Sequence, residues 1–143
     1  MFNLGIKALV RDKLGRVLIL GVSPKEKQGV IGWDGKQGYD IPGGRVKVDE
    51  KYTEALIREV REETGLAVTE YKLLTTTVWD KRLMNKIVGN VGLVLMIFEV
   101  KVEGNEVVIG EENNSYEWLI PQEAAKKLKN NYPDDFCKLV EEL

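Results

Sequence analysis

The sequence contains no histidine and one cysteine among its 143 residues. Without histidine, a general base has to be a carboxylate, a lysine, a tyrosine or a metal-bound hydroxide, and a metal site has to be rich in oxygen ligands. Oxygen ligands favour Mg²⁺, Mn²⁺ or Ca²⁺ over zinc. The lone Cys137 excludes an internal disulfide and is typical of the reducing cytoplasm, where we expect it to pack rather than react.

Long apolar runs and an excess of charge of one sign are also missing. No apolar run approaches the roughly 20 residues of a membrane span, and the start MFNLGIKALV lacks the pattern of a signal peptide. The 21 Lys and Arg against 23 Asp and Glu leave a formal charge of −2. We therefore expect no membrane and no long nucleic acid as partner, whereas a small anionic substrate fits if basic residues cluster around a metal.

Strand-like and helical patterns alternate along the chain without a linker. A helix is predicted from an N-cap at Asp49 to Thr64, with Gly65 as its C-terminal stop. We expect one domain, residues 1–143, of the α/β class, with a mixed β-sheet flanked by helices. The other expected elements are strands at 4–10, 17–22, 39–41, 66–79, 87–102, 107–109 and 116–120, a loop at 24–38, and helices at 121–129 and 133–143.

Three carboxylates, Glu59, Glu62 and Glu63, crowd one side of the predicted helix. At about 100° per residue they lie within an arc of roughly 100°. Like charges at these spacings destabilise an isolated helix by roughly 0.2–0.5 kcal/mol per pair. The arrangement therefore favours a multivalent cation among their oxygens.

The rest of the helical wheel is compatible with this hypothesis. Leu56, Ile57 and Val60 form the expected core-facing stripe. Ala55 lies among the acids, where its small side chain would let a ligand approach the backbone, and Arg58 is spaced to hold one of the carboxylates. The alternative is a solvated acidic helix of alternating charge, which explains less well why the acids border the apolar stripe.

The stretch Gly44–Leu66 carries a known pattern. It resembles the signature box of the Nudix hydrolases (MutT-like) at every fixed position, and the flanking strand order resembles the family's α/β/α sandwich. The matching positions are Gly44, Glu50, Arg58, Glu59, Val60, Glu62, Glu63, Gly65 and Leu66.

The resemblance implies a site for Mg²⁺, with Mn²⁺ as substitute. Glu59 and Glu63 would bind the metal directly, and Glu62 directly or through water. The backbone carbonyl near Gly43 or Gly44 is a further implied ligand, because glycine lets the backbone approach a metal or phosphate closely.

Other positions of the box have supporting roles in the family. Arg58 would orient the acids, Glu50 would brace the loop or contact a second metal, and Gly65 would end the helix. Lys47 and Asp49 depart from the family pattern, in which an acid and a glycine are usual, and these departures bear on the fine metal geometry.

A later loop often adds one acid in this family, six residues before a tryptophan that ends a strand. Glu112 has this spacing to Trp118, and Glu111 is the competing candidate. Both also fit ordinary loop acids. Glu63 and Glu112 are the candidates for general base. The implied catalytic residues are Glu62, Glu63, Glu112 and Arg58, and Glu112 is also counted with the metal ligands.

The implied reaction is hydrolysis of a nucleoside diphosphate linked to another group by attack of water on phosphorus. A nucleoside triphosphate pyrophosphatase is favoured, with ADP-ribose or another NDP-sugar as the alternative. Arg45 is the first candidate for a phosphate contact, and Trp33 and Tyr39 for stacking on a base, although both aromatics also fit packing roles. Weaker candidates are Lys47, Lys81, Arg82 and Lys86 for phosphates and Asn113, Asn114, Asn130 and Asn131 for a base edge.

Two other functions share this fold. A nucleotide-binding Nudix module without catalysis would be free to lose acids from the box, and all of them are intact. An isoprenoid diphosphate isomerase calls for a cysteine beside a glutamate, and Cys137 near the C-terminus is badly placed for it. Nothing in the sequence shows an interface, so a homodimer is left open.

Overall fold

The computed structural model describes residues 2–22, 37–78, 92–129 and 131–143. Trp33, Trp79, Lys81, Arg82, Lys86, Asn130 and most of the predicted 24–38 loop lie outside the described residues. The elements are β1 (Phe2–Arg11), β2 (Val17–Val22), β3 (Gly38–Asp40), β4 (Gly43–Arg45), α1 (Tyr52–Thr64), β5 (Ala67–Val78), β6 (Gly92–Glu103), β7 (Asn113–Leu119), α2 (Pro121–Leu128) and α3 (Asp134–Glu141).

β1 is the centre of a seven-stranded mixed sheet. It pairs in parallel with β6 along its whole length and antiparallel with β4 on its other side. β5 extends the sheet antiparallel to β6. The β1–β2 hairpin connects at Arg11 and Val17, and β2 carries β3 and β7 as antiparallel neighbours. This arrangement places β4, and with it Gly43 and Gly44, beside the middle of the sheet.

The sheet separates two apolar layers. Successive side chains of a strand point to opposite faces, so Ile6, Ala8 and Val10 of β1 pack in the cluster that contains α1, while Leu9 packs in the cluster that contains α2 and α3. The predicted α/β/α sandwich with a mixed sheet is confirmed. None of the helices in the described ranges is long and apolar enough to cross a membrane.

Helix α1 ends as predicted but begins differently. Gly65 has a φ of 73° in the left-handed region and donates its N–H to the Arg61 carbonyl at 2.9 Å. The predicted N-cap at Asp49 is wrong, because the N-cap is Lys51, whose side chain makes no capping hydrogen bond. Asp49 instead lies in the preceding turn with a φ of 66°. This conformation suits glycine best, and aspartate tolerates it better than most residues.

Two predictions for the buried face of α1 are also wrong. Leu56 and Val60 are buried as expected, but Ile57 is 45% exposed. Ala55 is completely buried in the core, so its small side chain fits packing and does not open the backbone to a ligand. The apolar stripe is therefore rotated from Ile57 towards Ala55.

Some strand boundaries differ from the pattern-based predictions. Residues 107–109 were predicted as a strand but form an irregular segment, because the Val108 N–H donates to the Thr64 carbonyl at 2.9 Å rather than to a neighbouring strand. β4 was not among the predicted strands, and β7 begins at Asn113 rather than Tyr116. Pro121 occupies the first turn of α2 as predicted, whereas Pro133 is the N-cap of α3.

Candidate active site

Gly43 and Gly44 bring the backbone of β4 against the carboxylates of α1. The Gly43 N–H donates to Glu63 Oε2 at 2.6 Å. A Cβ on Gly44 would collide with the Glu59 carboxylate, and one on Gly43 would collide with the Ile6 carbonyl oxygen. Gly43 therefore needs glycine, because the colliding atom is backbone, whereas a side chain at Gly44 would displace the Glu59 carboxylate. Two of the predicted metal ligands thus lie beside the predicted backbone ligand.

Arg58 connects the remaining acids of the box. Its Nε and Nη2 donate to the two oxygens of Glu50 at 2.7 and 3.0 Å, a bidentate pair. Its Nη1 donates to Glu59 Oε1 at 2.8 Å and to Glu62 Oε2 at 3.2 Å. Nη2 also reaches the Arg45 carbonyl oxygen at 3.3 Å. One guanidinium thus fixes three carboxylates relative to the β4 backbone.

Glu50 is committed to the loop before α1. It accepts the Lys47 N–H at 3.0 Å in addition to the two bonds from Arg58. The hydrogen bonds from Arg58, followed by the one from Lys47, lower the pKa of Glu50 to about 2. The same contact raises the pKa of the Arg58 guanidinium further. Glu50 was expected either to brace the loop or to contact a second metal, and these hydrogen bonds fit bracing of the loop.

Glu63 lies in a different environment from Glu50. Burial raises its pKa to about 7, while the nearby Lys7 and the Gly43 N–H act in the opposite direction. A partly buried carboxyl group with a single backbone donor is poorly compensated as an anion. A cation beside Glu63 would therefore satisfy a charge that the protein itself satisfies only in part.

The residues of the box fit a hard divalent cation. Glu59 and Glu63 place carboxylate oxygens beside the partly buried backbone of Gly44 and Gly43, and Glu62 shares Arg58 with Glu59. Oxygen atoms of this kind are the ligands that Mg²⁺ and Mn²⁺ prefer. Within the described ranges, no three acidic, cysteine or histidine side chains are already gathered as a metal cluster. The carboxylates are instead held by Arg58 and by the Gly43 N–H.

The Glu111–Glu112 turn lies near the C-terminal end of α1. Val108 is hydrogen bonded to Thr64, and a Cβ on Gly110 would lie 3.7 Å from the Glu62 carbonyl oxygen. Glu111 and Glu112 are both exposed and, among the described residues, neither makes an ion pair or a side-chain hydrogen bond. The structure brings this turn near the box without fixing the Glu112 carboxylate.

The predicted substrate contacts that the structure describes differ in their surroundings. Arg45 is exposed and lines a cavity next to Gly44. Tyr39 packs against the core beside α2 and α3, and Lys127 Nζ lies 4.2 Å from the centre of its ring. Of the two roles expected for Tyr39, these contacts fit packing rather than stacking on a base. The Asn113 Nδ2 atom is buried without a hydrogen-bond partner in the described structure.

A polar cluster next to the cavity beside Gly44 was not predicted from the sequence. Lys7 Nζ donates to Asp40 Oδ2 at 3.0 Å and to the Ile41 carbonyl oxygen at 3.2 Å. The Tyr132 hydroxyl donates to Asp40 Oδ1 at 2.5 Å. Burial, together with Asp40, raises the pKa of Tyr132 well above its usual range. The sequence feature that could have indicated this cluster is Lys7, a charged residue that interrupts the apolar run LGIKALV.

The cavity is lined by both charged and apolar residues. The charged ones are Lys7, Asp40 and Arg45, and the others are Gly5, Ile6, Gly44, Leu93 and Leu95. The Gly44 backbone thus borders both this cavity and the carboxylates of α1. A molecule that contacts both would place one part beside the carboxylates and another part in the cavity.

Comparison with known proteins identifies the family that carries this arrangement. The model of the NUDIX domain matches residues 1–139. The chain belongs to the Nudix family. The nucleoside triphosphatase NudI of Escherichia coli K12 is 36% identical over 91 residues, which are 58% of this chain and 62% of that protein. A MutT-like protein of Streptomyces ambofaciens is 29% identical over 94 residues, 66% of this chain and 55% of that protein. The chain thus spans less than two thirds of the length of these curated relatives.

Solved structures show the same fold. The crystal structure of the MutT protein from Methanosarcina mazei Go1 has a TM-score of 0.69 at 23% identity and covers 99% of this chain and 91% of its own. The MutT Nudix hydrolase from Burkholderia pseudomallei has a TM-score of 0.69 at 19% identity, and the match covers 100% of this chain and 98% of that one. At these identities the likeness supports the Nudix fold and leaves the substrate open.

Proposed function

We propose that this Nudix protein is a Mg²⁺-dependent pyrophosphohydrolase that cleaves a nucleoside diphosphate linked to another group. The observation that carries the proposal is the convergence of Glu59 and Glu63 on Gly43 and Gly44, with Arg58 holding Glu59 and Glu62. Mn²⁺ would substitute for Mg²⁺ at the same oxygens. The family match over residues 1–139 supports the same chemistry.

The protein's contribution to catalysis would be positioning and charge. Glu59, Glu62, Glu63 and the backbone carbonyl of Gly43 or Gly44 would hold the metal, which when bound would neutralise phosphate charge and lower the pKa of a water molecule. Arg58 keeps the carboxylates in place through four hydrogen bonds and donates a fifth to the Arg45 carbonyl oxygen. A carboxylate, Glu63 or Glu112, would take the proton of the attacking water, because the chain has no histidine.

A nucleoside triphosphate is the favoured substrate, yielding a nucleoside monophosphate and pyrophosphate. Arg45 lines the cavity beside Gly44, where it suits an anionic substrate, and the apolar Leu93 and Leu95 suit a base. Lys7 also lines the cavity, but it is paired with Asp40 at 3.0 Å. The similarity to nucleoside triphosphatase NudI supports this choice over the alternative, ADP-ribose or another NDP-sugar. A binding module without catalysis is disfavoured because every acid of the box is present.

A substrate panel tests the proposal. The protein is incubated with Mg²⁺ and nucleoside triphosphates, ADP-ribose or NDP-sugars, and phosphate is measured with and without added inorganic pyrophosphatase. We expect phosphate from a triphosphate only when pyrophosphatase is added. NDP-sugar cleavage would instead release phosphate only with alkaline phosphatase. A Glu62→Gln/Glu63→Gln variant is the control, and equal turnover by this variant, or no turnover of any substrate by the parent, would contradict the proposal.

A further inference from the structure

Strand β5 forms one end of the sheet. In the strand order β3-β2-β1-β6-β5 it pairs with β6 on one side, and no described strand pairs with its outer edge. An unpaired edge presents backbone N–H and C=O groups that can pair with another strand. β5 has 12 residues, and its regular central part runs from residue 70 to residue 73 between two register shifts against β6. It is a surface with the hydrogen-bonding capacity for one further strand.

An aromatic patch lies on the α1 face of this edge. Tyr71 is 44% exposed and contacts the buried Phe98 edge-on, with ring centres 6.1 Å apart. Tyr52 stacks on the same Phe98 at 5.8 Å and is also exposed. Leu73, two residues along the strand from Tyr71, is 51% exposed. Within the part of the chain that the structure describes, the edge therefore carries an apolar surface as well as backbone groups without a strand partner.

Charged residues occupy the opposite face of the same segment. Glu70 pairs with Lys101 at 3.4 Å, and Lys72 pairs with Glu99 at 3.4 Å. These pairs are cross-strand contacts between β5 and β6 and are open on their outer side, because the Glu70 and Lys72 side chains are 70% and 72% exposed. Each charge can thus take an opposite charge from a further strand.

We propose that the edge of β5 pairs with the same edge of a second copy of this chain, antiparallel about a two-fold axis at Tyr71. Directly opposite residues in antiparallel strands interact, and like charges there are destabilising. With the axis at Tyr71, Glu70 of each copy faces Lys72 of the other. An axis at Glu70 or at Lys72 would place that charge against itself. The charge pattern therefore selects one register.

The pairing would continue contacts that already exist within each copy. Across the interface, the charges alternate as Lys101, Glu70, the second copy's Lys72 and the second copy's Glu99, while the two Tyr71 rings meet on the other face. Register shifts in the β5–β6 ladder between Val68 and Glu70 and between Leu73 and Thr75 bound the regular part of the edge. Such irregularities limit strand pairing, which confines the interface to this short, charge-matched segment.

A charge-exchange experiment tests the interface in solution. Sedimentation velocity of the full chain, from low to high micromolar concentration, is measured for the parent, for Glu70→Lys and for Lys72→Glu. Each variant places like charges at both symmetric contacts, so we expect its self-association to weaken by about tenfold or more. In an equimolar mixture, the two lysines of one variant face the two glutamates of the other at both contacts, so heterodimers should form. The rescue shows that both variants are folded.

A second pair of variants separates the edge from the general surface. Tyr71→Lys puts two ammonium groups at the axis and should abolish dimers, whereas Leu14→Lys, at a residue that is 78% exposed in the β1–β2 turn, should leave them unchanged. The proposal is overturned if the parent is monomeric throughout the concentration range, if Tyr71→Lys dimerises like the parent, or if the charge-exchanged mixture fails to associate more strongly than its components.

Discussion

The box around Gly43 and Gly44 and the Glu111–Glu112 turn both present acids near α1, but they hold them differently. In the box, Glu50, Glu59 and Glu62 share Arg58, and Glu63 accepts a backbone N–H. In the turn, the two glutamates are exposed and have no side-chain partner within the described structure. The box is organised before any ligand arrives, whereas the turn can adapt to one.

The difference indicates how much each region contributes to stabilising charge at the site. Preorganised groups contribute most where charge is to be stabilised, because their orientation requires no further reorganisation. An exposed acid on a turn loses side-chain freedom when it engages a ligand, which reduces its net contribution. We therefore expect substitutions in the box to have large effects and those in the turn to have small ones.

The largest effect is expected for Glu63→Gln. The change removes a proposed metal ligand and candidate base while keeping the size of the side chain and its ability to accept the Gly43 N–H. Because a bound metal contributes several kcal/mol to transition-state stabilisation, we expect kcat to fall by roughly 10³-fold or more. Initial rates with a saturating triphosphate measure it. A loss of less than tenfold would show that the box does not dominate catalysis.

Arg58→Lys tests whether the network, rather than its charge, organises the box. A lysine keeps the positive charge but cannot hold Glu50 in the bidentate geometry and reach Glu59 and Glu62 at the same time. Losses on removing groups that orient metal ligands are about 10–100-fold, and we expect this range in kcat/KM. Arg61→Lys, an exposed position on the same helix, is the control. Similar activities of the two variants would argue against the role of Arg58.

In the metal-free protein, the burial of Glu63 should make the free energy of unfolding depend on pH. Its pKa is about 7 in the folded state against an ordinary value of 4.5, so the folded state holds a proton that the unfolded chain has lost between these pH values. Stability is therefore lost as pH rises from about 4.5 to about 7. Glu63→Gln removes this loss and should be more stable than the parent above that range, by about 2 kcal/mol.

Urea unfolding in the presence of a chelator measures this difference. The two proteins should have similar unfolding free energies at the acidic end of the range and diverge towards the basic end. Parallel curves across the whole range would mean that the Glu63 carboxyl group is ionised normally in the folded protein. That result would show that Glu63 does not differ in its ionisation from an ordinary exposed glutamate.

Glu112→Gln tests the turn, with the adjacent Glu111→Gln as a matched control. Since the Glu112 carboxylate is not fixed in the structure, we expect a loss in kcat/KM of about tenfold and a change of less than about twofold for Glu111→Gln. The same triphosphate assay compares them. A loss for Glu112→Gln as large as that for Glu63→Gln would mean that the turn becomes as well organised as the box when substrate binds.

Local spacing was enough to predict some of these features. The i,i+4 spacing of Arg58 from Glu54 and Glu62 predicted a contact with a carboxylate, and the structure has the contact with Glu62. The glycine at 65 predicted the left-handed end of α1. Alternating strand and helix patterns predicted the mixed sheet with helices on both faces. The box residues are close in the chain, and a regular helix then fixes their relative positions.

Contacts between distant residues could not be predicted from the same patterns. Lys7 and Asp40 are 33 residues apart and Asp40 and Tyr132 are 92 apart, so only the folded sheet brings them together. The left-handed backbone at Asp49 and the rotation of the apolar stripe from Ile57 to Ala55 depend on how α1 packs. Tertiary packing decides such features over local preference.

The central claim is that the carboxylates beside Gly43 and Gly44 form a divalent-cation site, and calorimetric titration with Mn²⁺ tests it most directly. The parent is compared with Glu59→Gln and with Glu54→Gln, an exposed acid of the same helix. We predict binding by the parent and by Glu54→Gln, and at least about tenfold weaker binding by Glu59→Gln. Binding by Glu59→Gln that equals that of the parent would contradict the assignment.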